Sequence, residues 1–324
     1  STQGYSSAAS DVYKRQSMWL SKLKRVFSNM LYIDEIIDDI VSYKLRFLKL
    51  DVFANINKLG GVNLHPFVDS QGYTHTVTVS LTSYGDRVYS VCYVIYSILM
   101  QSVQPNRIIL WLSEQEYNDE NLPQSLKDLR SRGVEIAYCP DYRSYKKIIP
   151  TLRKYSEDVI ITIDDDVLYG HETLEYLINA YLQEPEYIWF MSGSKMAFDK
   201  NGNIKPYVTW YDEHLTALEC NIKNFPTGIG GILYPPHSLA EEVTDETLFM
   251  KLAPTADDIW LKAMSLKQGT NCRQIKLNKP VMRFHTGIKE VQTSALCKDN
   301  IEKNLNDKAV HAVFDYFDLW KLFN

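Results

Sequence analysis

Hydrophobic positions along the chain recur with two different periods, and the change between them falls at Gly60-Gly61. Before it, from Met18 to about Asn57, Trp19, Leu20, Leu23, Val26, Phe27, Met30 and Leu31 recur three and four residues apart and lead into IDEIIDDIVSYKLRFLKL. That spacing predicts an N-terminal helical arm over 17–72. After the glycines, THTVTVSLTSYGDR (74–87) alternates β-branched and small polar residues and ends in a Gly-containing turn, which predicts a strand and its loop. VYSVCYVIYSILMQS predicts a helix, closed by Pro105, and NRIILWLSE a second, buried strand. NLPQSLKDLRSRG is a Pro-opened, Gly-closed helix, VEIAYCPD a third strand ending at Asp141, IPTLRKYSED a helix, and VIITIDDD a fourth strand. Strands and helices that alternate with short connections predict an α/β domain over 73–290 built on a doubly wound, mostly parallel sheet. A C-terminal segment, 291–324, carries KAVHAVFDYFDLWKLFN, which predicts a helix packing an aromatic stripe.

Composition narrows this only a little. At 324 residues the chain suits one large α/β domain with embellishments or two small ones. A hydrophobic fraction of 45% and a charged fraction of 23% are those of a globular protein, and a pI near 5.8 argues against a nucleic-acid surface. Five cysteines, widely spaced and without a CxxC pair, indicate neither a disulfide framework nor a zinc knuckle, which fits a reducing cytoplasm. No stretch approaches roughly 18 consecutive apolar residues, and no signal-type apolar region opens the chain. Residues 1–16, STQGYSSAASDVYKRQ, lack periodicity, resemble translated cloning material and are set aside from the fold. Lys22, Lys24 and Arg25 flank the apolar stripe of the arm, which would serve either as a packing or dimer contact or as a peripheral membrane contact at the inner face of the membrane.

The chemistry concentrates where the fourth strand ends in Asp164, Asp165 and Asp166. Three adjacent carboxylates repel one another unless a cation sits among them. Alternation along a strand would put Asp164 and Asp166 on one side and Asp165 on the other, a D-x-D pair able to hold Mg2+ or Mn2+ together with a diphosphate. The plain alternative is a solvated strand end that caps the helix of HETLEYLINAYL. In a doubly wound sheet, ligands sit at the carboxyl ends of the strands. SLTSYGDR, Asp141 and the aspartate run are therefore expected to converge.

With SLTSYGDR, SYKKIIPTL, IITIDDDVLY, PTGIGGILYPP and PTADDIWLKAM in this order, the chain resembles the GT-A fold glycosyltransferases, in particular the bacterial family-2-like inverting enzymes of surface-polysaccharide synthesis. The resemblance covers about Thr74 to Thr286. It implies a Rossmann-like GT-A fold and a metal-dependent hexosyl transfer from a nucleotide diphosphate sugar, a UDP-sugar first among them, to a hydroxyl of a glycan or glycolipid. It also implies that Thr82, Ser83, Tyr84, Arg87 and Asp141 hold the nucleotide, with Asp165 on the same side of the site. Arg87 has the alternative of a surface pair with Asp86, and either Lys147 or Lys146 would meet phosphate while the other is solvated.

The same resemblance places the PTGIGG block, with Gly230 and Gly231, under donor sugar and acceptor, where a tight turn into a buried strand is the alternative. Trp210 and Tyr211 would stack on the acceptor, with a core role for Trp210 as the alternative. Asp257 and Asp258 open a helix, where capping explains one of them; the resemblance implies that one of the two is the general base, Asp258 first, with Asp257 as its neighbour or an acceptor-orienting residue. His285 would be a third metal ligand, tilting preference toward Mn2+, and Arg283 beside it would meet phosphate. A sugar-nucleotide nucleotidyltransferase and a non-catalytic carbohydrate-binding relative are the rival readings. The first lacks a glycine-rich loop after the first strand here, and the second does not require the acidic set.

Overall fold

The computed structural model describes residues 61–212, 220–277, 286–287, 300 and 304–323. The predicted arm therefore lies outside the described residues up to residue 60. Its expected end, 61–72, contains a short strand, Phe67–Val68, paired antiparallel with Thr74–His75.

The domain then runs β1 (Val77–Thr82), α1 (Val91–Leu99), β2 (Arg107–Ser113), α2 (Gln124–Arg130), β3 (Val134–Cys139), α3 (Ile149–Lys154) and β4 (Val159–Thr162). The strands are rich in Val, Ile and Leu, and β1, β2 and β4 are buried along nearly their whole length, as strands covered on both faces must be. After β4 come α4 (Thr173–Gln183), β5 (Ile188–Phe190), β6 (Ile232–Tyr234), α5 (Glu246–Leu252), α6 (Asp257–Gln268), β7 (Cys272–Gln274) and α7 (Leu305–Tyr316). The seven strands form one sheet in the order β7-β5-β6-β4-β1-β2-β3. Only β6 runs against its neighbours; all other pairings are parallel.

The order sets the site. From β1 the chain moves outward to β2 and β3, then crosses back to lay β4 on the other side of β1. The crevice between the carboxyl ends of β1 and β4 is the switch point where doubly wound sheets bind ligands. Ser80 lies opposite Thr162, so the two strands deliver Ser83 and Asp164–Asp166 to the same edge.

On the β5–β7 side the core is aromatic. Tyr145 stacks on Phe249 at 4.3 Å, Phe249 meets Trp260 of α6 edge-on, and Phe317, just past α7, approaches Trp260 at 5.9 Å. The expected C-terminal helix thus packs its stripe on α6. Gly269, at φ +82°, ends α6 in the left-handed turn that a side chain would strain. Among the described residues no helix is long and apolar enough to cross a membrane.

Candidate functional site

Strand β4 stops at Thr162, and the three aspartates lie beyond it in a turn that leads to a short strand, Val167–Leu168. The aspartates thus lie outside the strand from which alternation was expected, and Asp165 and Asp166 share one cation. Arg87, in the 3-10 turn Gly85–Tyr89 after β1, donates from Nη1 to Asp165 at 2.7 Å and from Nη2 to Asp166 at 3.2 Å. Ser83 Oγ donates to the other oxygen of Asp165 at 2.6 Å, and Tyr84 lies with its ring 5.1 Å from the guanidinium. Pairing of Arg87 with Asp86 is thus replaced by a buried clasp on the aspartate run. Thr82, also predicted here, donates its hydroxyl to the Trp111 carbonyl at 2.8 Å and so ties β1 to β2.

Asp164 turns to a different cation. Lys147, only 6% exposed, places Nζ 3.0 Å from Asp164 and 3.0 Å from Asp257 at the start of α6. Burial alone would lower the pKa of this lysine, but the charges of Asp164, Asp257 and Asp258 outweigh it and hold the ammonium firmly protonated. Lys146 faces elsewhere and bonds Asp141, which also accepts from the Arg143 N–H at 3.1 Å. Burial raises the Asp141 pKa, yet the Lys146 bond prevails and leaves it below the usual value. The sequence alternative between the two lysines resolves by structure: Lys147 faces the aspartates, and Lys146 is the partner of Asp141 rather than solvated.

Helix α6 begins at Asp257 with Ala256 before it, and no side chain caps it. Capping therefore explains neither carboxylate. The Gly228 N–H donates to Asp258 Oδ2 at 3.4 Å, while Asp258 Oδ1 is shut off from solvent with no hydrogen-bond partner among the described residues. Burial, then the charge of Asp257, pushes the Asp258 pKa up to about 7. Asp166 rises to about 6 through burial and then the charge of Asp164. The helix-cap alternative for the aspartate run fails as well, since α4 starts at Thr173 on the far side of Val167–Leu168 and has no side-chain cap from the run.

Gly228 was not singled out by sequence. A Cβ there would lie 2.8 Å from Lys147 Nζ and 3.0 Å from Asp164, so only glycine leaves room for the Lys147 bridge. Glycine density in PTGIGG marks a close approach, but the sequence does not say to what. Gly230 and Gly231 have different duties: a Cβ on Gly230 would strike Ser192 at 2.7 Å, and Gly231 adopts φ +90° before β6. Tyr169, likewise unpredicted, accepts the Asp164 N–H on its hydroxyl at 2.8 Å.

Trp210 corrects the acceptor assignment. It is 1% exposed, donates its indole N–H to the Lys205 carbonyl at 2.9 Å and packs edge-on against Phe225, so its faces are covered by protein. The backbone of Tyr211 continues the same 3-10 turn, Tyr207–Asp212, and its side chain lies outside the described residues. His285 and Arg283 lie outside them too. The adjoining strand Thr286–Gly287 does run antiparallel to Val167–Leu168, just after the aspartates.

The donor set suits a divalent cation. Asp164, Asp165, Asp166, Asp257 and Asp258 supply five carboxylates against the two cations Arg87 and Lys147. Hard oxygen ligands in negative excess fit Mg2+ or Mn2+. Among the described residues no group of three His, Cys, Asp or Glu side chains is arranged to hold a metal unaided.

No protein-family model matches the chain, and no curated protein is similar to it. Among solved structures it is similar to glucosyl-3-phosphoglycerate synthase from Mycobacterium tuberculosis in complex with Mn2+, UDP and phosphoglyceric acid, at 18% identity and a TM-score of 0.28 over 36% of this chain and 43% of that one. The likeness thus spans less than half of that synthase. It is also similar to S. aureus TarS 1–349, at 14% identity and a TM-score of 0.43 over 74% of this chain and 72% of that one. A third is CMP:2-keto-3-deoxy-manno-octonic acid synthetase complexed with CTP, at 11% identity and a TM-score of 0.37 over 62% of this chain and 90% of that one. At these identities and TM-scores the likenesses extend to the course of an α/β chain and no further.

Proposed function

We propose that this protein is a metal-dependent inverting glycosyltransferase that moves a hexose from a nucleotide diphosphate sugar, a UDP-sugar first, to a hydroxyl of a glycan or glycolipid in bacterial surface-polysaccharide synthesis. The observation that carries the reading is the Lys147 bridge. It joins Asp164, at the sheet's switch point, to Asp257, whose neighbour Asp258 has a pKa of about 7. On this reading one ammonium links the diphosphate side of the site to the residue next to the base.

In this reading Ser83, Tyr84 and Arg87 line the nucleotide side, and Asp164 and Asp166, with His285 as a third ligand, would hold a Mn2+ or Mg2+ ion. The bound ion supplies Lewis-acid neutralisation of the departing diphosphate. Lys147 meets the same diphosphate as a point charge and keeps Asp257 turned from the acceptor. Gly228 lets the backbone close on this bridge and orients Asp258 through its N–H. Asp258 accepts the proton of the acceptor hydroxyl as its oxygen attacks the anomeric carbon from the face opposite the diphosphate, which inverts the centre. A carboxyl with a pKa near 7 is half-ionised at neutral pH and retains driving force as a base.

The test is a binding and donor-hydrolysis screen of UDP-, GDP-, CMP- and dTDP-sugars, with and without Mn2+, on the protein and on Asp166→Ala. Metal-dependent binding of one nucleotide sugar that the variant loses is the expected result. Binding of none under either condition removes the reading, and pyrophosphate release from a nucleoside triphosphate replaces it with a nucleotidyltransferase.

A further inference from the structure

Among the described residues, Lys262 is a buried lysine with no carboxylate partner. It lies on α6 one turn after Asp258, is 2% exposed, and among the described residues its Nζ bonds the Cys272 thiol on β7 at 3.7 Å. Cys272 is itself 1% exposed, and Ser265 Oγ stands 3.8 Å from the same sulfur. A lysine buried without a counter-charge is costly and is normally paired or excluded. Burial drives its pKa down, which favours the neutral, nucleophilic amine. A cavity of about 10 Å³, the size of roughly one water, is lined by Asp258, Lys262, Ser265 and Cys272 together with Tyr234.

We propose that Lys262 and Cys272 form an oxidation-dependent covalent cross-link. With a peroxide as oxidant, the thiol gives a sulfenic acid and water, as the peroxide O–O bond breaks and sulfur is oxidised. The Lys262 amine then attacks that sulfur, an S–N bond forms, and the sulfenic oxygen leaves as a second water with one proton from the amine. The product is a sulfenamide two hydrogens lighter than the separate side chains. It ties α6, which carries Asp257 and Asp258 at its start, to the edge strand β7. The neighbouring amine also diverts the sulfenic acid from further oxidation. This pair is independent of the transferase reading and stands or falls without it.

The full chain is treated with hydrogen peroxide or kept in dithiothreitol, unfolded without reductant, alkylated and mapped by mass spectrometry. The expected result after peroxide is a Lys262 peptide joined to a Cys272 peptide, two hydrogens below their sum. Dithiothreitol should reverse it, Cys220→Ser should leave it unchanged, and Lys262→Met and Cys272→Ser should each abolish it. Lys262→Met retains the side-chain volume and should alkylate or over-oxidise at Cys272 instead, so absence of the link there is not loss of the fold, which circular dichroism checks. A Cys272–Cys220 disulfide, a Cys272 sulfinic acid beside a free Lys262, or an unmodified Cys272 overturns the proposal.

Discussion

The two ends of the parallel sheet each carry a cluster of charge, and they are balanced differently. At the amino ends, Arg107 of β2 bonds Glu135 at 2.9 Å, Thr78 at 2.9 Å and Asp158, with its guanidinium 3.7 Å over the Tyr155 ring; Lys154 adds a second contact to Glu135. Two cations face two carboxylates, and the donors of Arg107 are spread over β1, β3 and the entry to β4. At the carboxyl ends, Arg87 and Lys147 face five carboxylates, two of which are pushed up to about 6 and about 7. A cluster that only joined strands would gain by matching its charges, as the lower one does. The upper one keeps a surplus of carboxylates that costs stability, and this imbalance supports the proposed site.

The sharpest way to break the contrast is at Asp258. Asp258→Asn should lower transfer by about 10²–10⁴-fold, the range of general-base loss, with the fold intact. In the wild type the rate should rise with pH through about 7, because only the ionised carboxylate takes a proton. Stability should run the other way. The folded pKa lies above the ordinary carboxylate value of 3.8, so the folded state holds the proton, and this group's contribution to stability declines as pH climbs from about 4 to about 7. Thermal melts from pH 5 to 8 should show a decline that Asp258→Asn reduces. A variant that is inactive and less stable at pH 8 would put Asp258 among structural residues instead.

Next in size is Lys147. Lys147→Met leaves the buried Asp257 and the half-buried Asp164 without their cation, a loss of up to about 3–5 kcal/mol, the range for breaking a buried pair, read by urea denaturation. It should also abolish donor binding. Asp257→Asn in the same background should restore part of the stability and none of the binding, which separates electrostatic relief from ligand contact.

How far the sequence carried these residues depends on chain distance. The β1–β4 half was legible because each strand is rich in Val, Ile or Leu and the helices between them are punctuated by Pro or Gly, and the switch point follows from the strand order. Strands β5, β6 and β7 have three residues each, too few for a period to declare itself, and the reversed direction of β6 is set by tertiary pairing with β4 and β5. The aspartate run announced a cation, and Arg87 in SLTSYGDR supplied one from the expected strand end. Which lysine faced the run depended on the twist of the 3-10 turn Arg143–Lys147, which sends neighbouring side chains to Asp141 and to Asp164. Trp210 gave no signal either way, because an indole that fills a core and one that stacks on a sugar share the same flanking aromatics.

Gly228 offers a smaller and more selective perturbation. Gly228→Ala pushes a methyl to within 2.8 Å of Lys147 Nζ and 3.0 Å of Asp164 without removing any charge. Displacing the ammonium by a few tenths of an ångström should weaken nucleotide-sugar binding more than it weakens the fold, as titration calorimetry beside thermal melts would show. Equal losses in both would make the glycine a packing residue alone.

The smallest effect on activity belongs to the lower cluster. Arg107→Gln removes the guanidinium that Thr78, Glu135 and Asp158 share, and leaves two carboxylates partly exposed to water beside one another. Charged hydrogen bonds at such a site are worth about 1.5–3 kcal/mol each before solvent screening, and with Arg107 and Glu135 both open to water a total loss of about 1–3 kcal/mol is expected. Donor affinity and its metal dependence should not change, since the amino ends of the strands lie a full strand length from the switch point. If Arg107→Gln lowered donor affinity as much as Lys147→Met does, the two clusters would be one coupled network through β1 and β4, and charge imbalance would no longer single out the upper end as the site.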